Sequence, residues 1–279
     1  MAKWFGRRQP PKFPNLRNSS DMEKRKYKLG LTLSGGGARG IAHMGFIKAL
    51  EESDVKIEMI SGSSAGAVVG ALWAGGLSVE EMFELVRSTK IFQLLRPSFT
   101  RNGLLELTHL RKVLKEKLPY ERLEDLPRPL LVTAVSLELG RPEYFREGIL
   151  SEVVAASCAV PLLFKPVELQ GRLYADGGLM KNLPVIPLKA YCEEVMAFDV
   201  LPRGLATSKS LRSSWKLLLR VVQLGIAAST HADVQAADYY IPCRELGSVS
   251  PLRLDRAEKI FQAGYEAGRR ALKELPVSC

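Results

Sequence analysis

Residues 29–66 read LGLTLSGGGARGIAHMGFIKALEESDVKIEMISGSSAG, and their order decides the fold. Leu29 to Ser34 is short and apolar, which predicts a buried strand, and Gly35-Gly36-Gly37-Ala38-Arg39-Gly40 follows it. Ile41 to Glu52 then places Ile41, Met44, Ile47 and Leu50 on one helical face. Lys56 to Ser61 predicts a second strand, Gly62 to Gly66 a turn, and Ala67 to Ala74 a buried helix of small residues. Strand, turn and helix, given twice, specify a parallel sheet with helices on its faces.

The rest of the chain extends this pattern. Ser78 and Glu81 form a capping-box pair for a helix through Val86, and Thr108 is read as the cap of a helix to Lys117. Pro129 to Leu137 is a buried strand, and Ser151 to Cys158 a helix stopped before Pro161. Val167–Leu169 and Arg172–Tyr174 flank Gln170-Gly171 as a hairpin, and Glu194 to Val200 is a further strand. Trp215 to Thr230 is a long helix that is amphipathic rather than transmembrane, since it carries Lys216 and Arg220. Tyr239 to Pro242 is a last strand and Asp255 to Leu272 a closing helix. Residues 88–105 are irregular, and their apolar groups, Phe92 and Leu95 among them, read equally as a lid, an acyl-binding surface or core packing.

A chain of 279 residues can bury a large core without disulfide or metal staples. Cys158, Cys192, Cys243 and Cys279 are scattered, with no CxxC pair and no His at ligand spacing, so neither zinc nor a disulfide framework is expected. Residues 1–28 hold nine Lys/Arg against Asp21 and Glu23, seven of the ten net positive charges, and contain no apolar signal-peptide core. This basic leader reads as a solvated tail or as a peripheral contact to anionic lipid at the inner membrane face. No nucleic-acid motif accompanies the charge, and a cytoplasmic location is expected.

Gly62-Ser63-Ser64-Ala65-Gly66 matches G-x-S-x-G. A serine on a tight strand-to-helix turn stands exposed beside the N–H groups of the helix, and small residues on either side let the two elements pass closely. Gly35 to Gly40 matches G-x-G-x-x-G, and with Asp54 downstream a nucleotide site is one reading. The other is an oxyanion hole, favoured because both loops fall at one edge of the sheet. Asp176 in Asp176-Gly177-Gly178 is a candidate base, although Asp before two glycines is also an ordinary turn. His231 follows Ser64 and Asp176 in triad order, so a Ser64–Asp176–His231 triad stays open beside a Ser64–Asp176 pair. His43 and His109 sit near helix starts.

Four blocks in order give the chain a family resemblance: Ser34 to Gly45, Gly62 to Gly66, Ala156 to Pro161, and Asp176-Gly177-Gly178. It resembles the patatin-like phospholipases, in their small stand-alone bacterial form. The resemblance implies a single α/β domain, a three-layer α/β/α arrangement with a mostly parallel central sheet. It places a basic leader at 1–28, the catalytic core at 29–200 and a helical extension packed on the same domain at 201–279. It implies a Ser64–Asp176 dyad without histidine, acting on lipid esters. The oxyanion donors would be Gly35, Gly36, Gly37 and Ala65, supported by Arg39, Gly62, Gly66, Gly177 and Gly178. No metal or other cofactor is implied. A non-catalytic lipid-binding protein on the same fold is the remaining alternative.

Overall fold

Parallel strands are covered on both faces and so read as unbroken apolar runs. Tyr27–Leu33 (β1) is buried from Gly30 onward, and Met59–Ser63 (β2) and Leu130–Ser136 (β3) are buried throughout. The structure is a computed structural model and describes residues 26–53, 55–88, 107–161, 163–201, 214–248 and 256–274. The leader, apart from its last residues, and the irregular segment from residue 89 lie outside the described residues.

Helices Ile41–Glu51 (α1), Ala65–Ala74 (α2), Val79–Arg87 (α3) and Thr108–Lys117 (α4) alternate with these strands. Arg141–Phe145 (β4), Leu150–Ser157 (α5), Val167–Leu169 (β5), Arg172–Asp176 (β6), Val185–Lys189 (α6), Cys192–Asp199 (β7), Ser214–Ala236 (α7), Tyr239–Pro242 (β8) and Ala257–Glu274 (α8) complete the order. The strands pair as β5-β6-β3-β2-β1-β7-β8, with β4 also on β3. The β3–β2–β1–β7–β8 pairings are parallel, and those of β4, β5 and β6 antiparallel.

Side chains alternate between two apolar layers, as the pleat requires. Ile60, Val132, Met196 and Phe198 enter the larger core with α1 and α2, whereas Met59, Leu131, Val195 and Ala197 pack with Leu183, Val185 and Leu188 on the other face. The result is a mixed, mostly parallel sheet between helical layers. Helix α8 lies close on α1: a Cβ on Gly264 would sit 1.9 Å from the Ala42 carbonyl oxygen, and one on Gly45 2.0 Å from that of Phe261.

The register of β3 positions the site. Val132 and Thr133 pair with β2 and β4, and Ala134, Val135 and Ser136 pair with β6 and β4. A residue pairs at most once on each edge, so β4 holds one edge alone, and β2 and β6 share the other. One runs with β3 and the other against it, so their carboxyl ends meet head to head.

Several boundaries move from the expected ones. Helix α2 starts at Ala65, α7 runs to Ala236, and β6 includes Asp176. Thr108 is the first helical residue rather than a cap, because the chain enters at Leu107 with no side-chain cap bond. Strand β1 starts at Tyr27, inside the expected leader, where it continues the ladder to β7. The Ser78–Glu81 capping box is present in both directions. The hairpin turn is as expected, with Gln170 and Gly171 both at positive φ (50° and 74°), the pairing a two-residue primed turn requires.

Candidate active site

Ser64 ends β2 and opens α2 in a conformation side chains avoid, φ 50° and ψ −121°. The flanking glycines explain how the turn closes. A Cβ on Gly62 would meet the Gly66 carbonyl carbon at 2.6 Å, and one on Gly66 the Leu33 carbonyl oxygen at 2.2 Å. The Ser64 N–H donates to Ser157 Oγ at 2.9 Å, which ties the strained turn to the end of α5.

Asp176, at the end of β6, is 5% exposed. Its Oδ1 accepts the Gly178 N–H at 2.7 Å, while its buried Oδ2 has no aligned hydrogen-bond partner among the described residues. Burial pushes its pKa up to about 6, against the opposing pull of the Ser64 hydroxyl and the Gly178 N–H. The structure thus brings Ser64 beside Asp176. Gly177 allows the close turn after it, since a Cβ there would lie 2.2 Å from the Thr133 carbonyl oxygen.

The glycine loop lies against the same turn. A Cβ on Gly35 would come 3.2 Å from Ser64 Cβ, and one on Gly40 2.6 Å from Ala65 Cβ. The Gly35 N–H is already committed, donating to the Asn182 carbonyl at 3.1 Å. Gly36 is half-buried and Gly37 exposed. As the first residue of α2, Ala65 has an N–H without an intrahelical acceptor. Arg39 is buried, and burial lowers its pKa.

The three histidines sit on helices α1, α4 and α7. His43 is fully buried, and its Nε2 donates to the Ser34 carbonyl at 2.8 Å, anchoring the start of the glycine loop. Burial depresses its pKa to about 4 against the favourable Ser34 bond, so the ring is neutral. His231 is exposed on α7, and His109 is half-buried on α4. Cys158 lies near Ser64, with its thiol pushed well up by burial and by the Asp176 carboxylate. It stays protonated.

Beside Ser64 is a cavity of about 130 Å³. Its walls are aliphatic and aromatic: Ile41 and Met44 of α1, Val68 and Val69 of α2, Val86, Leu110 and Phe164. Such a lining suits an acyl chain.

Four residues escaped the sequence reading. Ser157 carries no signal beyond the block it sits in. Asn182 joins the Gly35 loop to the loop after Asp176. Half-buried Lys181 and buried Asp233 form an ion pair at 2.7 Å, and Asp233 also accepts the Ile186 N–H at 3.0 Å. No group of three or more His, Cys, Asp and Glu suited to a metal ion occurs among the described residues.

Residues 31–189 match the family model described as patatin-like phospholipase. An NTE family protein of Mycobacterium tuberculosis is 37% identical over 164 residues, covering 58% of this chain and 45% of that protein. The lysophospholipase nte1 of Aspergillus fumigatus is 27% identical, over 88% of this chain and 18% of its own length. The chain therefore spans less than half the length of these relatives. Among solved structures, VipD of Legionella pneumophila superposes with a TM-score of 0.55 at 18% identity, over 89% of this chain and 67% of that one. The type III effector ExoU gives 0.50 at 16% identity, over 90% of this chain and 54% of that one. With the matched family region spanning residues 31–189, more than half of its length, this chain belongs to the patatin-like phospholipase family.

Proposed function

We propose that the chain hydrolyses carboxylic esters of lipids, with Ser64 as nucleophile and Asp176 as base. One observation carries the reading: a strained, half-buried serine stands beside a buried carboxylate whose Oδ2 has no aligned hydrogen-bond partner, at the wall of an apolar cavity. Ser64 Oγ attacks the ester carbonyl while its proton passes to Asp176 Oδ2. The oxyanion takes hydrogen bonds from the Ala65 N–H and from those of Gly36 and Gly37; Gly35 holds the loop instead. Collapse returns the proton from Asp176 to the departing alkoxide. A water then attacks the acyl-enzyme, with Asp176 again as base, and Ser64 leaves as the free hydroxyl.

A base with a pKa of about 6 is mostly ionised at neutral pH and still basic enough to matter. His231, exposed on α7, has no place in this scheme. The test is hydrolysis of p-nitrophenyl esters of short and long acyl chains. Ser64→Ala and Asp176→Asn are expected to fall to background and His231→Ala to keep full turnover. Wild type inert to every ester, with no fluorophosphonate labelling of Ser64, removes the hydrolase reading and leaves lipid binding without catalysis.

A further inference from the structure

Helix α7 brings the chain back to β8, which lies parallel to β7. Its last turns are anchored: Thr230 and Asp233 are buried, and Asp233 is bonded to Lys181 and to the Ile186 N–H. Just past the helix, Asp238 binds the Val195 backbone in mid-sheet, whereas Lys181 lies near the sheet's carboxyl edge, five residues from Asp176. The helix therefore rises toward the Ser64 side as it is traced back from its end. About 28 Å of helix lies N-terminal to Asp233 at the usual rise per residue. No described side chain from Leu217 to Ser229 is buried. Leu217, Val221 and Leu224, on one face at i, i+4 and i+7, are 48%, 57% and 53% exposed. A Cβ on Gly225 would meet nothing within 4 Å.

Scattered surface leucines need no explanation, but a one-sided distribution does. Leu137 follows the last residue of β3, Leu173 accepts its N–H, Leu139 lies in the same turn, and Met180 follows the loop after Asp176. With the α7 stripe, seven of the eight exposed large apolar side chains among the described residues belong to the catalytic end, Ile149 being the exception. The sequence adds charge: before Asp233, α7 holds Lys216 and Arg220 and no Asp or Glu, and Arg203, Lys209 and Arg212 precede it in the sequence, outside the described residues.

We infer that the projecting half of α7 is a docking element for an anionic lipid surface. It would set the catalytic end, with its exposed leucines, against the headgroups and the acyl pocket toward its substrate. Apolar residues enter the interface while neighbouring cations meet anionic headgroups. Two copies of so basic a segment would repel each other, which disfavours self-pairing as its purpose. The inference rests on the lipid-ester reading for its purpose but not for its test.

Full-length protein carrying Ser64→Ala is floated with phosphatidylcholine vesicles and with vesicles containing one part in five phosphatidylglycerol. The expected result is recovery with the anionic vesicles and a loss of about tenfold on adding Leu217→Glu, Val221→Glu and Leu224→Glu together. Val221→Ser alone, a milder change at an exposed position, is expected to lower recovery about threefold with an unchanged circular dichroism spectrum. In the active background the triple variant is expected to hydrolyse a short soluble ester at the parent rate. The proposal is overturned if the triple variant floats like its parent or if the parent floats with neither vesicle. It is equally overturned if sedimentation shows a dimer that the triple variant breaks, without vesicle binding. Flotation of the Ser64→Ala protein is read without turnover, so its failure is distinct from failure of the ester assay.

Discussion

Asn182 and Gly35 are hydrogen-bonded in both directions: the Asn182 carbonyl accepts the Gly35 N–H at 3.1 Å, and Asn182 Nδ2 donates to the Gly35 carbonyl at 3.5 Å. The pair joins the loop after the proposed base, Asp176, to the loop proposed to hold the oxyanion. Asn182→Ala keeps the main-chain bond but leaves a buried carbonyl without its donor, a loss of about 1–3 kcal/mol of stability. Turnover is expected to fall about tenfold with KM little changed, because the donors of Gly36 and Gly37 are less well placed. Urea melts and steady-state kinetics check both parts, and a variant with wild-type turnover would separate Asn182 from the loop.

Ser64 is held at φ 50° by the closure of its turn, and glycine is the residue that adopts such a backbone freely. Both Ser64→Ala and Ser64→Gly are expected to be inactive. Ser64→Gly is expected to be the more stable by about 1–2 kcal/mol, the strain the serine carries for its position. Equal denaturation midpoints would mean the turn is not strained.

Much of this was legible in the sequence because it is local. The two strand–turn–helix units, the capping box at Ser78 and the Gln170-Gly171 turn each follow from a few adjacent residues. What escaped depends on distant contacts. Arg141–Phe145 is half-buried along its length, so it lacks the apolar signal of β3, and it is a strand because it pairs with β3. Val185–Lys189 is too short for periodicity to show. Asn182 meets Gly35 across 147 positions, and Asp233 meets Lys181 across 52. The placement of Asp176 opposite Ala134 depends on β2 and β6 sharing one edge of β3, which no local pattern encodes.

Two helical glycines predict opposite signs for one substitution. Alanine in a helix interior is favoured over glycine by about 1 kcal/mol, and Gly225 has open space around it, so Gly225→Ala is expected to stabilise by about that amount. At Gly264 the new methyl would fall 1.9 Å from the Ala42 carbonyl oxygen, which is backbone and cannot swing away. Gly264→Ala is expected to lose about 1–3 kcal/mol as α8 is forced off α1. Thermal melts of the two variants, side by side, measure the closeness of that helix pair.

Asp176 sets function against stability, with a pH signature. Its folded pKa is about 6, raised chiefly by burial, against an ordinary value of 3.8. Below the lower value the carboxyl is neutral in both states and costs nothing. As pH rises through the window the unfolded chain ionises first, and above the folded pKa the full penalty of the buried charge is present. The difference corresponds to about 3 kcal/mol, an order-of-magnitude figure for a group so little exposed. Asp176→Asn keeps an acceptor for the Gly178 N–H and removes the charge. It is expected to be inactive, to be more stable than wild type by about 1–3 kcal/mol at pH 7.5, and to lose most of that advantage by about pH 4. Wild-type kcat/KM is expected to rise through pH 6 as the base ionises and then level off. Urea unfolding of both proteins at the two pH values, with the rate profile, tests the assignment. A stability gain that does not change with pH would mean that Asp176 is not the group titrating there.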